Sequence, residues 1–328
     1  MKSINGVCFS IFYGYFRLPF ILDPSIEQTH YQMRSFRIIL IMLAMSQWLS
    51  AQENPDTSYW THSGKFALNF SQVGLTNWSG GGDPSLSFNG IINYNFKFER
   101  EPHLWENLLD AGYGSQRLGG KEEPFKKSDD KIVFISRYGY KIKGQWYASA
   151  LSDFRTQFYR GYSYDNDTSI LISNLMAPAY WKIGLGVTFN HKFSEEESFS
   201  FTFSPLNGRT TFVLDDELSA QGAFGVDPGK KTKFHAGMDL TMAINKELVK
   251  NVTLTSTLGL FSRYQDMAVV DVNWDLLLWF KVNQFLAASI STQLIYNQDI
   301  EFTNEDGSTY GSAVQFKEVL GIGLTYSF

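Results

Sequence analysis

Beyond residue 51 the chain holds four histidines: His62, His103, His191 and His235. A histidine beside a serine, oriented by an acid or amide, is the arrangement of a hydrolase. None of the four adjoins a GxSxG elbow, because the chain has none. His62 precedes the first expected strand, His103 and His191 adjoin short turns, and His235 neighbours Lys233 at a strand start. A hydrolase is therefore the least favoured reading, and no catalytic residue is assigned. Metal chemistry fares no better. There is no HExxH, and the single cysteine, Cys8, lies ahead of the mature chain, so no internal disulfide can form there. Asn304, Asp306, Gly307 and Ser308, with Glu301 and Glu305, have the composition of a calcium loop without its spacing. A solvated loop explains them, and no metal or cofactor is expected.

The better lead is a set of polar residues that alternate with apolar ones. Asp271, Asn273 and Asp275 interleave with Val270, Val272, Trp274 and Leu276. Ser149, Asp153 and Arg155 share one face if their strand stays regular, and Lys131, Arg137 and Lys141 share another. Asn69 and Ser71 repeat the pattern near the start. Side chains of a strand alternate between its faces. A polar row on one face and an apolar row on the other suits a strand between a wet lumen and lipid. Opposite charges across a narrow lumen could close it by pairing or line a water path with a transverse field. The plainer reading is that they satisfy one another inside a closed barrel.

The elements that would position them are strands. At the C-terminus Leu320, Ile322, Leu324, Tyr326 and Phe328 fall on one face, and Gly321, Gly323, Thr325 and Ser327 on the other. Leu324, Tyr326 and Phe328 read as an outer-membrane insertion signal. The same period predicts strands at 65–73, 85–98, 105–118, 131–142, 145–158, 179–193, 198–205, 233–245, 249–262, 269–282, 284–298 and 313–328. Twelve is an even number, as in bacterial single-chain outer-membrane barrels. Connections after the second, fourth, sixth, eighth and tenth strands are short. Those after the first, third, fifth, seventh and eleventh tend to be long, as expected of periplasmic turns and external loops. The expected fold class is all-β: a transmembrane antiparallel β-barrel of twelve strands. The rival is a soluble sandwich or barrel, since periodicity alone does not say whether the apolar face points in or out.

Composition agrees with the membrane reading. Aromatic residues make up 16% of the chain, glycines number 27, and the net charge is −5. Acidic balance without a basic stripe argues against a nucleic-acid partner. Residues 33–51 read as a signal peptide: Arg34 and Arg37, an apolar core Ile38–Met45, and a cleavage site after Ala51. Met33 is then the expected start, and residues 1–32 are expected to be a misannotated upstream extension or an unusual one. Residues 1–51 hold four basic and two acidic side chains, so the exported chain has 24 basic and 31 acidic residues, a net of −7. Residues 52–62 are expected as a periplasmic segment and 63–328 as the barrel.

The run at residues 63–98 contains FxLNFSQxxLTNWSGGG, here Phe66, Leu68, Asn69, Phe70, Ser71, Gln72, Leu75, Thr76, Asn77, Trp78, Ser79, Gly80, Gly81 and Gly82. It resembles the Bacteroidetes proteins grouped as the DUF3078 family, with the resemblance extending to the C-terminal Phe. The resemblance implies an outer-membrane barrel of uncharacterised function and brings no catalytic residues. The loop Asn77, Trp78 and Gly80–Gly82 reads as a hairpin tip seated on an aromatic girdle, or as a segment folded inward to narrow a pore.

The functional expectation is a passive channel or small-solute transporter in the bacterial outer membrane. The alternative is a structural or accessory barrel that binds another envelope protein. The Tyr- and Trp-rich stretch 158–181 suits either ligand stacking or protein docking. The other expected partners are outer-membrane lipid and the general outer-membrane assembly machinery.

Overall fold

The computed structural model describes residues 59–74, 83–165, 168–194, 197–303 and 309–327. In chain order the strands are β1 (Trp60–Val73), β2 (Ser85–Arg100), β3 (His103–Leu118), β4 (Lys126–Lys143), β5 (Trp146–Thr156), β6 (Gly161–Asp165), β7 (Thr168–Ser173), β8 (Ala179–Lys192) and β9 (Ser198–Phe212). A short helix, α1 (Asp216–Ala220), and a 3₁₀ turn (Ala223–Gly225) follow. Then come β10 (Thr232–Val249), β11 (Val252–Arg263), β12 (Asp266–Lys281), β13 (Leu286–Tyr296), β14 (Phe302–Thr303), β15 (Thr309–Gly311) and β16 (Gln315–Ser327).

Twelve of these close an antiparallel barrel, in the order β1-β16-β13-β12-β11-β10-β9-β8-β5-β4-β3-β2. Closure pairs the first strand with the last, Lys65 opposite Ser327 through Asn69 opposite Gly323. β6–β7 and β14–β15 are separate two-stranded pairs in the long connections. The turns 101–102, 144–145, 193–197, 250–251 and 282–285 lie at one end. The long connections leave the other end, except that β11 reaches β12 through residues 264–265 alone.

The apolar face points outward. Leu320, Ile322, Leu324 and Tyr326 are 61–68% exposed, and Phe66, Leu68, Trp181, Ile183, Leu185 and Trp274 share that surface. Soluble proteins do not carry a continuous apolar belt of this size, so the soluble rival fails and the barrel is a membrane-spanning one. With short turns at one end and long loops at the other, its architecture is that of an outer-membrane barrel. The belt's indoles are not left bare. Trp105, Trp181 and Trp274 donate to Ser136, Ser152 and Ser256 at 2.9, 3.0 and 2.9 Å. Each serine sits diagonally across the strand pair, where a long side chain can reach it.

Several strands run past their expected ends, β1 starting at Trp60, β4 at Lys126 and β10 ending at Val249, and β9 does so furthest. Pro205 and Asn207-Gly208 read as a strand end followed by an irregular excursion, yet β9 continues to Phe212. The registers with β8 and β10 both slip beside Pro205: Val187 faces Phe203 but Leu185 faces Leu206. This is a β-bulge, where proline's missing N–H is tolerated. The extra residue moves the buried face from Ser200, Thr202 and Ser204 to Asn207, Arg209 and Thr211. Gly186 lies against it, and a Cβ there would stand 1.9 Å from the Phe203 carbonyl oxygen. Only glycine fits.

Candidate functional site in the barrel lumen

The polar rows face inward and pair across the barrel. Arg155 on β5 donates from Nε to Asp153 at 2.9 Å. From Nη1 it donates to Asn273 at 2.9 Å and Asp275 at 2.6 Å, both on β12. β5 and β12 are almost opposite in the ring, so one guanidinium spans the lumen. Beside it Lys182 on β8 reaches Asp239 on β10 at 2.7 Å and Asp153 at 3.4 Å. Thr241 donates to the second oxygen of Asp239 at 2.6 Å. Gln293 donates to Asp275 at 2.9 Å, and Lys131 pairs with Asp110 at 2.6 Å. Lys317 on β16 crosses to Asp129 on β4 at 2.7 Å. An isolated ion in this setting would cost several kcal/mol, and the pairing offsets part of that cost.

Nearer the short-turn end, Glu106 pairs with Arg137 and accepts from Asn190 at 3.1 and 3.2 Å. Arg137 also donates to Thr202 at 3.2 Å, and Thr202 joins a hydroxyl chain through Thr188 to Ser149. Lys141 pairs with Glu101 in the 101–102 turn. Toward the long-loop end a second cluster forms. Arg209 pairs with Asp271 at 2.5 Å and with Asp299 at 3.1 Å. Arg263 reaches the same two carboxylates at 3.4 and 2.8 Å. Lys233 adds a bond to Asp299 at 2.9 Å, and His235 Nε2 lies 3.3 Å from it. Asp299 follows β13 in the chain, so this cluster draws the 297–300 segment over to β9, β10 and β11. Burial opposes the charge on Asp299, but the Lys233 hydrogen bond and the Arg263, Lys233 and Arg209 charges outweigh it and lower its pKa.

The long connections build a lid above this cluster. Ala177, Val213, Leu218 and Val226 form a buried apolar group, with Leu171, Ala223 and Phe224 against it. Asp215 caps α1 by accepting from Glu217 and Leu218 N–H, and it accepts from Asn174 at 2.8 Å. Asp130 on β4 anchors the connection after β5 by accepting from Phe158 and Tyr159 N–H at 2.7 and 2.9 Å.

The lumen is divided lengthwise. Under the lid lies a chamber of about 320 Å³, whose lining includes Arg155, Lys182, Arg209, Asp271, Phe224 and Tyr296. At the other end are spaces of about 330 and 760 Å³, lined by residues including Asn95, Lys97, Asn245 and Lys281. Between them a void of about 30 Å³ remains, lined by Asp110, Lys131, Asp275 and Leu277 among others. That is room for about one water molecule. Ala67, Ile91, Leu277, Trp279 and Ala287 form an apolar cluster at this depth.

Of the residues singled out from the sequence, Arg137, Lys131, Asp271, Asn273 and Asp275 face the lumen within these networks. Asn69 is buried beside Asn89 at 3.5 Å, its amide in the space left by Gly321 and Gly323. Ser71, opposite Ser87, is exposed near the strand end and joins none of these clusters. Leu324 and Tyr326 face outward. Asn77, Trp78, Gly80, Gly81, Gly82 and Phe328 lie outside the described residues, as do 1–58 and 304–308. His62, His103 and His191 meet Tyr94, Tyr138 and Gln145 through Nδ1. Among the described residues no group of His, Cys, Asp and Glu is placed to hold a metal ion. Strand pattern alone does not single out Lys182, Asp239, Arg209, Arg263 and Asp299. Lys182 and Asp239 each sit between apolar neighbours and obey the same period. Arg209 is hidden by the bulge, and Asp299 carries no periodic signal.

Residues 70–162 match a family model described as "Protein of unknown function (DUF3078)". The match starts inside the FxLNFSQ motif and ends in β6, a narrower span than the resemblance read from the sequence. No curated protein matches the chain. Among solved structures, the COG4313 outer membrane channel from Pseudomonas putida F1 is similar at 10% identity and a TM-score of 0.35, over 84% of this chain and 100% of that one. OmpT of Vibrio cholerae aligns at 7% identity and a TM-score of 0.28, over 84% and 100%. OmpF of Salmonella typhi, in complex with daunomycin, aligns at 9% and 0.25, over 82% and 97%. From Phe70 to Tyr162, β1 through β6, the chain carries the sequence pattern of the DUF3078 family.

Proposed function

We propose that this barrel is a gated conduit for small solutes across the outer membrane, held closed by side-chain pairing. The supporting observation is the barrier at the middle of the lumen. The chamber under the lid is separated from the spaces at the short-turn end by the Arg155–Asp275 and Lys131–Asp110 pairs and a narrow apolar cluster, all of them side chains of the barrel wall. Side chains exchange rotamers far more readily than a packed domain can leave a barrel. Charged rings at a constriction also select among permeating solutes.

The test is single-channel recording of the refolded protein in planar bilayers. Wild type should conduct rarely, and Arg155→Ala should open more often and with a larger unit conductance. If the folded variant is as silent as wild type, the conduit reading fails. The second reading, an accessory barrel that docks another envelope protein, rests on exposed Tyr159, Tyr164, Ile170 and Leu175 around the β6–β7 hairpin. Stoichiometric co-purification of one envelope protein, lost when that hairpin is replaced, would support it.

A further inference from the structure

We infer that the chamber beneath the lid is a binding site for a small uncharged polyhydroxylated solute of about hexose size. This deepens the conduit reading by naming the solute class. Three features of the chamber lead there.

The first is charge balance. Its lining cations are Lys131, Arg155, Lys182 and Arg209. Each already has a carboxylate within 2.7 Å: Asp110, Asp275, Asp239 and Asp271 respectively. Its lining carboxylates, Asp130, Asp153 and Asp271, are likewise held by Lys127, Arg155 and Arg209 at 2.9, 2.9 and 2.5 Å. A net-charged solute would either displace one of these partners or bring an uncompensated charge out of water, which is costly. A hydroxyl both donates and accepts, so it can use the remaining lone pairs and N–H groups without breaking a pair.

The second is the mixed character of the wall. Gln157, Asn273, Gln293 and Asn297 bring amides to the same space, and Tyr180, Phe224, Phe261 and Tyr296 bring rings. Amides and ion-paired groups suit hydroxyl edges, and rings suit the C–H face of a pyranose. The volume of about 320 Å³ corresponds to roughly ten water molecules.

The third is the backbone at Phe224. Its φ is +58°, between Gly222 and Gly225, both at +70°. A bulky residue in this region is a conformational outlier, retained where surroundings require it. Here the result is a phenyl ring on the chamber wall. Gly225 in turn lies against Asp299, where a Cβ would be 2.5 Å from the Asp299 carbonyl oxygen, so the ring's position and the 297–300 segment are coupled.

The experiment is equilibrium dialysis of the full folded barrel in detergent micelles against labelled D-glucose, succinate and putrescine. Glucose should be retained, and the two charged solutes should not. Phe224→Ala should weaken glucose retention at least fivefold while the barrel keeps its heat-modifiable mobility on gels. Phe224→Tyr, which keeps a ring, should retain most of the binding. Preference for succinate or putrescine over glucose would overturn the inference, as would retention of none of the three or glucose binding indifferent to Phe224→Ala. The conduit reading fails separately. A barrel that binds glucose but never conducts, even as Arg155→Ala, keeps the chamber site and loses the channel. A conducting barrel that retains no glucose does the reverse.

Discussion

Replacing Asp299 by Asn should release the 297–300 segment from the barrel wall beside the lid chamber. The carboxylate accepts from Lys233 at 2.9 Å, from Arg263 at 2.8 and 3.1 Å, and from Arg209 at 3.1 Å. Its side chain is 6% exposed, so solvent screens these bonds little. Removing one member of a buried charge network costs about 3–5 kcal/mol. The lower end applies, because Arg209 and Arg263 keep Asp271 when Asp299 is gone. About 3 kcal/mol corresponds to roughly a 150-fold change in the latched-to-released ratio. Hydrogen exchange at neutral pH should show it as a fall in the protection of the 298–300 amides of up to about two orders of magnitude.

The same bond fixes a pH dependence and its sign. The pKa of Asp299 is lowered from the ordinary 3.8 in the latched state. The latch is therefore at full strength above about pH 3.8 and is lost as pH falls through the depressed value. In wild type the segment should stay protected from pH 7 to pH 5 and be released only in stronger acid, and Asp299→Asn should remove that dependence. A variant whose 298–300 amides exchange as slowly as in wild type, or a wild type that loses this protection between pH 7 and 5 through Asp299, would refute the latch.

Three further outcomes follow from the wall itself. Gly186→Ala should cost about 3 kcal/mol or more, because its Cβ would meet Phe203 and Ser204 backbone at 1.9–2.7 Å. The readout is loss of heat-modifiable barrel on gels, whereas Gly120→Ala, with nothing within 4 Å and no positive φ, should lose far less. Ser152→Ala should cost about 1–3 kcal/mol by stranding the Trp181 indole N–H in the belt. Adding Trp181→Phe should recover most of that loss in urea unfolding from lipid vesicles, and a double variant no better than the single would contradict it. At the lid, Asn174 beside Asp215 holds that carboxyl below the usual aspartate range. Its α1 cap should therefore persist down to about pH 4 and weaken as pH falls through the depressed value, seen as faster proteolysis near residues 213–231.

Much of this architecture was legible from residue order alone. Alternation between two faces is a property of an extended chain, independent of what surrounds it. It placed all twelve barrel strands and put Lys131, Arg137, Asp271, Asn273 and Asp275 on one face of their strands. Turn lengths likewise separated the two ends of the barrel, because a hairpin needs few residues and a capping loop needs many. Pro205 misled in a specific way. A local reading sees a strand breaker, but a bulge absorbs the proline and inverts the alternation, so Arg209 dropped out of view. Three things were decided only by the closed barrel. The outward direction of the apolar face depends on curvature, which a period of two does not contain. The meeting of Arg155 with Asp275, and of Lys317 with Asp129, depends on strand order around the ring, the partners being 120 and 188 positions apart in the chain. The convergence of Lys233, Arg209 and Arg263 on Asp299 depends on where a loop without periodicity comes to rest. Local geometry is written residue by residue, whereas the pairing of charges across a lumen exists only once the sheet has closed.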